Sequence, residues 1–242
     1  MSLAAAAAFA AITFGAPTEA KAARELLVPA GEKGTLAIDQ ISGFRASMIN
    51  GLTYAGPLGF THQDLNEHAF NGNTDYGTHL NTFWLIPSAD LFVIDHLSVG
   101  LLAEYSTTWG TADVVRNDQN STSVSLKGTN SFTILPRVGY LISINDRFAI
   151  WPRAGIGYAR TETNQGTADV PLIDAVSGVI VDLDVGLIYR FNETFFARAS
   201  PDLVFSLGGS HSQSNAGVTT SAGAGLLQAS AVFGVGVFFD IY

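Results

Sequence analysis

From Ala229 onward the chain alternates. Ala229, Ala231, Phe233, Val235, Val237, Phe239 and Ile241 occupy one phase, and the other includes Gln228, Ser230, Gly234, Gly236 and Asp240. A period of two puts successive side chains on opposite faces of an extended strand. The pattern recurs along the chain. Leu97, Val99, Leu101, Ala103 and Tyr105 oppose Ser98, Gly100 and Glu104, and Phe132, Ile134, Val138, Tyr140 and Ile142 oppose Thr133, Arg137 and Gly139. Phe148, Ile150, Ala154, Ile156 and Tyr158 oppose Arg153, Gly155 and Gly157. Val179 to Tyr189 in odd steps oppose Asp182, Asp184 and Gly186, and Ile38, Phe44, Ala46 and Met48 oppose Asp39, Gly43 and Arg45.

Hydrophobic residues make up 47% of the 242 residues and charged residues only 14%, against about 25% charged in soluble domains. After the N-terminal region no stretch is apolar for the roughly 18 residues that a membrane helix needs. Strands with one apolar face reconcile the two facts when that face meets lipid. The expected fold is therefore all-β: a closed antiparallel up-and-down transmembrane β-barrel. The 25 glycines and 11% aromatics suit turns, close strand contacts and interfacial girdles. With no cysteine there is no disulfide frame, thiolate metal site or lipidated cysteine. A net charge of -9 argues against nucleic acid as a partner.

Residues 1–23 read as a signal peptide, with an Ala-rich apolar core carrying Phe9, Ile12 and Phe14 and a small-x-small site at Ala20-Lys21-Ala22. The basic flank that usually precedes such a core is missing. The barrel domain is expected over 24–242.

Ile94-Asp95-His96, Asn145-Asp146-Arg147 and Asn192-Glu193-Thr194 read as tight turns. Between them fall long polar segments near 50–76, 110–128, 162–171 and 208–223, which read as extracellular loops. Eight strands follow, near 35–49, 77–93, 96–109, 127–143, 147–162, 175–190, 194–208 and 225–242. Pro87, Pro136, Pro152 and Pro201 fall inside them, so each is expected at a bulge.

If the apolar face meets lipid, the other face lines the lumen. That face collects Arg45, Glu104, Arg137, Arg153, Asp182, Asp184, Arg198 and Asp202. Enclosed charges are costly unless paired. Counted from the turn centres, Glu104 lies nine residues past Asp95, Arg137 and Arg153 eight from Asn145, Asp184 eight and Asp182 ten before Asn192, and Arg198 six and Asp202 ten after it. Most could share one level, although barrel shear staggers the comparison. Arg137 and Arg153 would then be cross-strand neighbours, with carboxylates resolving their repulsion. A salt-bridge network plugging the lumen is the expected result.

Pro87 to Gly100 (PSADLFVIDHLSVG) resembles the first periplasmic turn of small outer-membrane β-barrels of the OmpA/OmpX-like group. Arg147 to Tyr158 (RFAIWPRAGIGY) is similar to the strand after the second turn, and Phe195 to Pro201 (FFARASP) to the start of the seventh. The resemblance implies an outer-membrane location, contact with outer-membrane lipids and lipopolysaccharide, and insertion by the barrel assembly machinery. The final strand departs from that pattern: Tyr242 is aromatic, but Asp240 breaks its phase and the stronger stripe runs through Ile241. The group supplies no catalytic residues to carry over.

His96-Leu97-Ser98 with Glu104 is similar to the His-x-Ser plus Glu set of outer-membrane lipid A deacylases, but a polar turn accounts for these residues fully. His62, Asp64, Glu67 and His68 could offer metal ligands, yet their spacing matches no closed site and a solvated loop explains them. No catalytic, cofactor or metal residue is assigned. The function expected is a non-enzymatic envelope protein, structural or acting through its loops on a surface ligand the sequence does not name. Two alternatives stand beside it: a narrow OmpW-like channel for small or hydrophobic solutes, and a soluble periplasmic lipocalin-like barrel with its apolar face inward.

Overall fold

The computed structural model describes residues 31–47, 51–54, 56–68, 74–116, 120–164, 172–215 and 218–241. The expected signal peptide at 1–23, Met48 and Tyr242 lie outside them. The strands are β1 (Thr35–Ser47), β2 (Gly51–Tyr54), β3 (Leu58–His68), β4 (Thr74–Leu85), β5 (Ser88–Ile94), β6 (Leu97–Arg116) and β7 (Asn120–Tyr140), then β8 (Ile142–Ser143), β9 (Phe148–Asn164), β10 (Leu172–Arg190), β11 (Phe195–Asn215), β12 (Val218–Ala224) and β13 (Leu227–Asp240). Each pairs antiparallel with its neighbour, and the sheet closes where β1 meets β13 on one edge and β5 on the other. The result is a closed eight-stranded antiparallel barrel. Its crossing strands are β1, β4 with β5, β6, β7 with β8, β9, β10, β11, and β12 with β13. Closure leaves no free edge around the base, where each crossing strand has a neighbour on both sides.

The turns at one rim are short because the sequence caps them locally. Asn145 Oδ1 accepts hydrogen bonds from the Arg147 and Phe148 amides, both at 2.9 Å. Asn192 Oδ1 accepts the same pair from Thr194 and Phe195, at 2.9 and 2.7 Å. An Asn side chain standing in for a backbone carbonyl is the mechanism of such turns. The third turn holds His96 at φ 68°.

At the opposite rim the described residues of the segments expected as loops are largely strand. β6 runs on to Arg116, β7 starts at Asn120 and β11 ends at Asn215, so these strands rise as paired ribbons well beyond the predicted ends, whereas β9 ends at Asn164, close to its expected end at 162. Thr and Ser make these stretches polar while Thr and Val favour extended backbone, so a reading from polarity took strand for coil. The expected first loop contains β2 and β3. β2 pairs with β1 and β3 with β4, and among the described residues neither pairs with the other. The upper wall therefore has a seam between β2 and β3.

Prolines correct the sequence expectation too. Pro87 breaks the strand between β4 and β5. Pro136, Pro152 and Pro201 sit in unshifted register, opposite Leu101, Val185 and Ala231. The partners on either side of Pro136 keep one register with β9, so no residue is inserted there. In an antiparallel ladder one residue's amide serves only one neighbour. A proline on a barrel strand can thus lose a single bond without a bulge.

Outward side chains form an apolar belt. Val99, Leu101, Phe132, Ile134, Val138, Ile156, Val185, Leu187 and Phe233 are all exposed, and Phe233 is 50% so. Inward, near the short turns, Phe92, Trp151, Phe196, Phe238, Ile188, Leu141, Ala37 and Ala149 pack into a buried cluster. Phe92 stacks on Trp151 with centroids 5.5 Å apart, and Phe196 lies 4.4 Å from Phe238. These inward aromatics share the polar phase of their strands, so a reading that assigned whole faces missed them. Each such side chain contributes roughly 1.5–3 kcal/mol by leaving water. The lipocalin-like alternative required the reverse orientation, apolar in and charged out. It is contradicted, since Arg153 and Asp184 are each only 4% exposed.

Candidate functional site: the interior charge tier and the outer hairpin cluster

Directly above the aromatic cluster, three guanidiniums meet three carboxylates inside the barrel. Arg137 donates from Nε to Asp90 Oδ1 at 3.1 Å, and from Nη2 to Asp39 Oδ1 at 3.1 Å and to Ser88 Oγ at 2.7 Å. Arg153 reaches Asp39 at 2.8 Å, Asp90 at 3.0 Å and Asp184 at 2.5 Å. Its guanidinium carbon lies 4.5 Å from the centre of the Trp151 ring, a favourable cation–π placement. Arg198 bridges Asp39 and Asp184. Ser88 donates to Asp39, and Trp151 Nε1 donates to Ser98 Oγ at 3.2 Å. All six charged side chains are buried. With equal numbers of each sign and several charge-assisted bonds per group, the tier is neutral as a whole.

Glycines make the room. A Cβ on Gly139 would lie 2.7 Å from Arg153 Cγ, Ser98 Oγ and Trp151 Nε1, and one on Gly100 would lie 2.1 Å from Asp90 Oδ1. Gly155 stands opposite Arg137 and Gly139 opposite Arg153. The two arginines are therefore diagonal to each other, where direct opposition was expected. Each lies across a residue with no side chain.

A second level lies on the far side of the tier from the aromatics. Arg45 and Asp202 are 4.0 Å apart, and Ser230 Oγ donates to Asp202 at 2.9 Å. Asp182 faces the same space. A cavity of about 20 Å³ lies between the levels, lined by Arg45, Arg137, Asp182, Asp184, Arg198 and Asp202 among others. That is room for a single water.

Seven of the eight charges expected in the lumen thus lie on these two levels. Glu104 is half-buried on β6 and has no ion pair among the described residues. Sequence reasoning missed Asp90 and did not carry Asp39 into the network. Asp90 follows Pro87, where the strand restarts and the phase must be read afresh. Asp39 lies within a register shift between Ile38 and Ser42, beside Gln40 at φ 63°. The inward, buried Ser88-x-Asp90-x-Phe92 alternation was the available signal.

The His96–Ser98–Glu104 set does not assemble. Ser98 is fully buried and accepts from Trp151, while His96 sits in the turn with its ring 6.2 Å from that of Tyr140. Among the described residues no base reaches the Ser98 hydroxyl.

His62 and Asp64 lie on β3, not in a loop, and the side chains of Glu67 and His68 are outside those described. Register places His62 opposite Asn81 and Asp64 opposite His79 on β4. His62 Nδ1 lies 2.9 Å from Asn81 Oδ1, while Asp64 Oδ1 lies 3.1 Å from His62 Nε2 and 2.5 Å from His79 Nδ1. His79's hydrogen bond, above all, holds the Asp64 carboxyl below the usual carboxylate range.

The apolar belt, the closed up-and-down topology and the buried charges define a transmembrane β-barrel of the bacterial outer-membrane class. One solved structure supports the fold. The crystal structure of outer membrane protein OprG from Pseudomonas aeruginosa superposes with a TM-score of 0.50 at 13% identity, over 86% of this chain and 97% of that one. The outer membrane protease OmpT from Escherichia coli gives 0.38 at 9% identity, over 85% and 93%. No family model matches the sequence, and no curated protein sequence matches it.

Proposed function

We propose that this chain is a non-enzymatic outer-membrane protein of the OmpA/OmpX-like kind, exported by its N-terminal segment, with a lumen closed to solutes. Its work would be envelope structure or recognition at the cell surface. The tall hairpins carry the recognition surface, and outer-membrane lipids and lipopolysaccharide surround the belt. Insertion would use the barrel assembly machinery. One observation carries the reading: the buried tier of Arg137, Arg153, Arg198, Asp39, Asp90 and Asp184 spans strands from β1 round to β11, and the space beside it holds about one water. An eight-stranded barrel is just wide enough for side chains to fill or for one small ligand, and here the charged side chains occupy it. Planar-bilayer recording tests it. No stable nanosiemens state is expected, and a sustained one would refute closure.

The seam between β2 and β3 favours a second reading, an OmpW-like path that leaves the upper barrel sideways for small apolar solutes. Uptake of such a solute into proteoliposomes, with ionic conductance absent, would favour it over the first.

A further inference from the structure

The β3–β4 hairpin carries a cluster with no part in the lumen. Its face follows from register. Leu58 pairs with Leu85, Phe60 with Phe83, His62 with Asn81 and Asp64 with His79, while Leu85, Phe83 and Asn81 pair with Tyr105, Thr107 and Trp109 on β6. Directly opposed residues share a face. Tyr105 and Trp109 belong to the exposed phase that continues Val99 and Leu101, and Phe60 lies 6.1 Å from Trp109. The opposite phase points inward, where a Cβ on Gly59 would collide with the Trp84 ring. His62, Asp64 and His79 therefore stand on the outer wall, one pleat beyond an aromatic and leucine band, at the level where membrane gives way to water.

We propose that His62, Asp64 and His79 bind a first-row divalent cation of the zinc class on the outer surface of the barrel. Two imidazoles and one carboxylate are the donor set such ions take, with solvent completing the shell. The ligand atoms lie within 4.8 Å of one another. Zinc bonds of about 2.0–2.2 Å to N and O put neighbouring tetrahedral ligand atoms roughly 3.3 Å apart, close to the 3.1 Å between His62 Nε2 and Asp64 Oδ1, while the 2.5 Å hydrogen bond between His79 Nδ1 and Asp64 Oδ1 opens as the ion replaces its proton. Both ring nitrogens of His62 face oxygens, Asn81 Oδ1 on one side and Asp64 Oδ1 on the other. A neutral imidazole has one proton to donate. If Asn81 takes it, the remaining lone pair and the carboxylate both point at the space a cation would fill. Asn81 then serves as the outer partner that fixes a metal-bound histidine. The hairpin pairs without a register shift from Leu58 to His68, so the ligands are held before the ion arrives. All three side chains are 42–52% exposed, which leaves an entry path.

The test uses the untagged full-length protein, refolded in neutral detergent and titrated calorimetrically with zinc in phosphate-free buffer. One zinc per chain is expected. Asp64→Ala and His79→Ala should each weaken binding by at least about tenfold, and Asn81→Ala by about tenfold. His211→Ala, which removes a part-buried His–Asp pair elsewhere on the barrel (His211 with Asp174), should leave affinity unchanged. Copper bound to the wild type should show nitrogen coupling in its electron paramagnetic resonance spectrum that the His62→Ala/His79→Ala double variant lacks. A heat-shifted gel band confirms that each variant is folded. The proposal is overturned by absence of saturable zinc binding, by unchanged affinity in the folded double variant, or by an equal loss in His211→Ala.

Discussion

Replacing Arg153 by methionine removes one charge from the centre of the interior tier while keeping most of its volume. Arg153 contacts all three carboxylates, Asp39, Asp90 and Asp184, within 2.5–3.1 Å. Its loss leaves Arg137 and Arg198 facing those three, with one negative charge uncompensated and buried. Breaking a buried ion pair from one side costs about 3–5 kcal/mol. The lost cation–π contact with Trp151 adds about 2 kcal/mol for a desolvated pair. A second variant separates charge from packing. Arg153→Met combined with Asp184→Asn restores neutrality, so it should recover about 1–3 kcal/mol relative to the sum of the single changes. Arg153→Lys keeps the charge but not the planar fork that serves several oxygens, and should fall between wild type and methionine. The assay is reversible urea unfolding in lipid vesicles, read by tryptophan fluorescence, with Trp151 reporting directly on the site. If Arg153→Met stayed within about 0.5 kcal/mol of wild type, the range of an ordinary surface change, the tier would not be a paired network and the reasoning would fail.

Two further outcomes follow from the same geometry. Gly139→Ala would push a methyl against Arg153, Ser98 and Trp151 at 2.7 Å, so a loss of about 1–3 kcal/mol is expected by the same unfolding assay; tolerance within error would show that the tier is looser than drawn. Phe233→Arg places a charge on the exposed outer face, which should cost up to about 2–4 kcal/mol near the bilayer centre. An unchanged midpoint in vesicles would mean that this face does not meet hydrocarbon.

Much of the barrel was legible because the relevant physics is local. Alternation through Phe233, Val235 and Phe239 sets which side of a strand is greasy, and Asn145 and Asn192 close their turns with their own side chains. The same phase put Arg137, Arg153, Asp184 and Arg198 on one face. Prolines and polar hairpin tips were harder. Pro136, Pro152 and Pro201 stay in register because an antiparallel residue bonds one neighbour only. The Thr- and Ser-rich tips pair as strands because a partner is present, and composition does not reveal a partner.

By itself, then, the sequence determined the class of element, the orientation of its faces, and the short-turn rim. Tertiary structure decided who meets whom. Asp39 and Arg198 are 159 residues apart and Asp90 and Arg137 are 47 apart. Only closure of the sheet and the stagger of its strands bring them to one height. His79 joins His62 and Asp64 for the same reason, since the register of a hairpin is what sets two side chains opposite each other. Periodicity along a strand is written in its own residues, whereas its alignment with the next strand depends on both and on the closed ring they must complete.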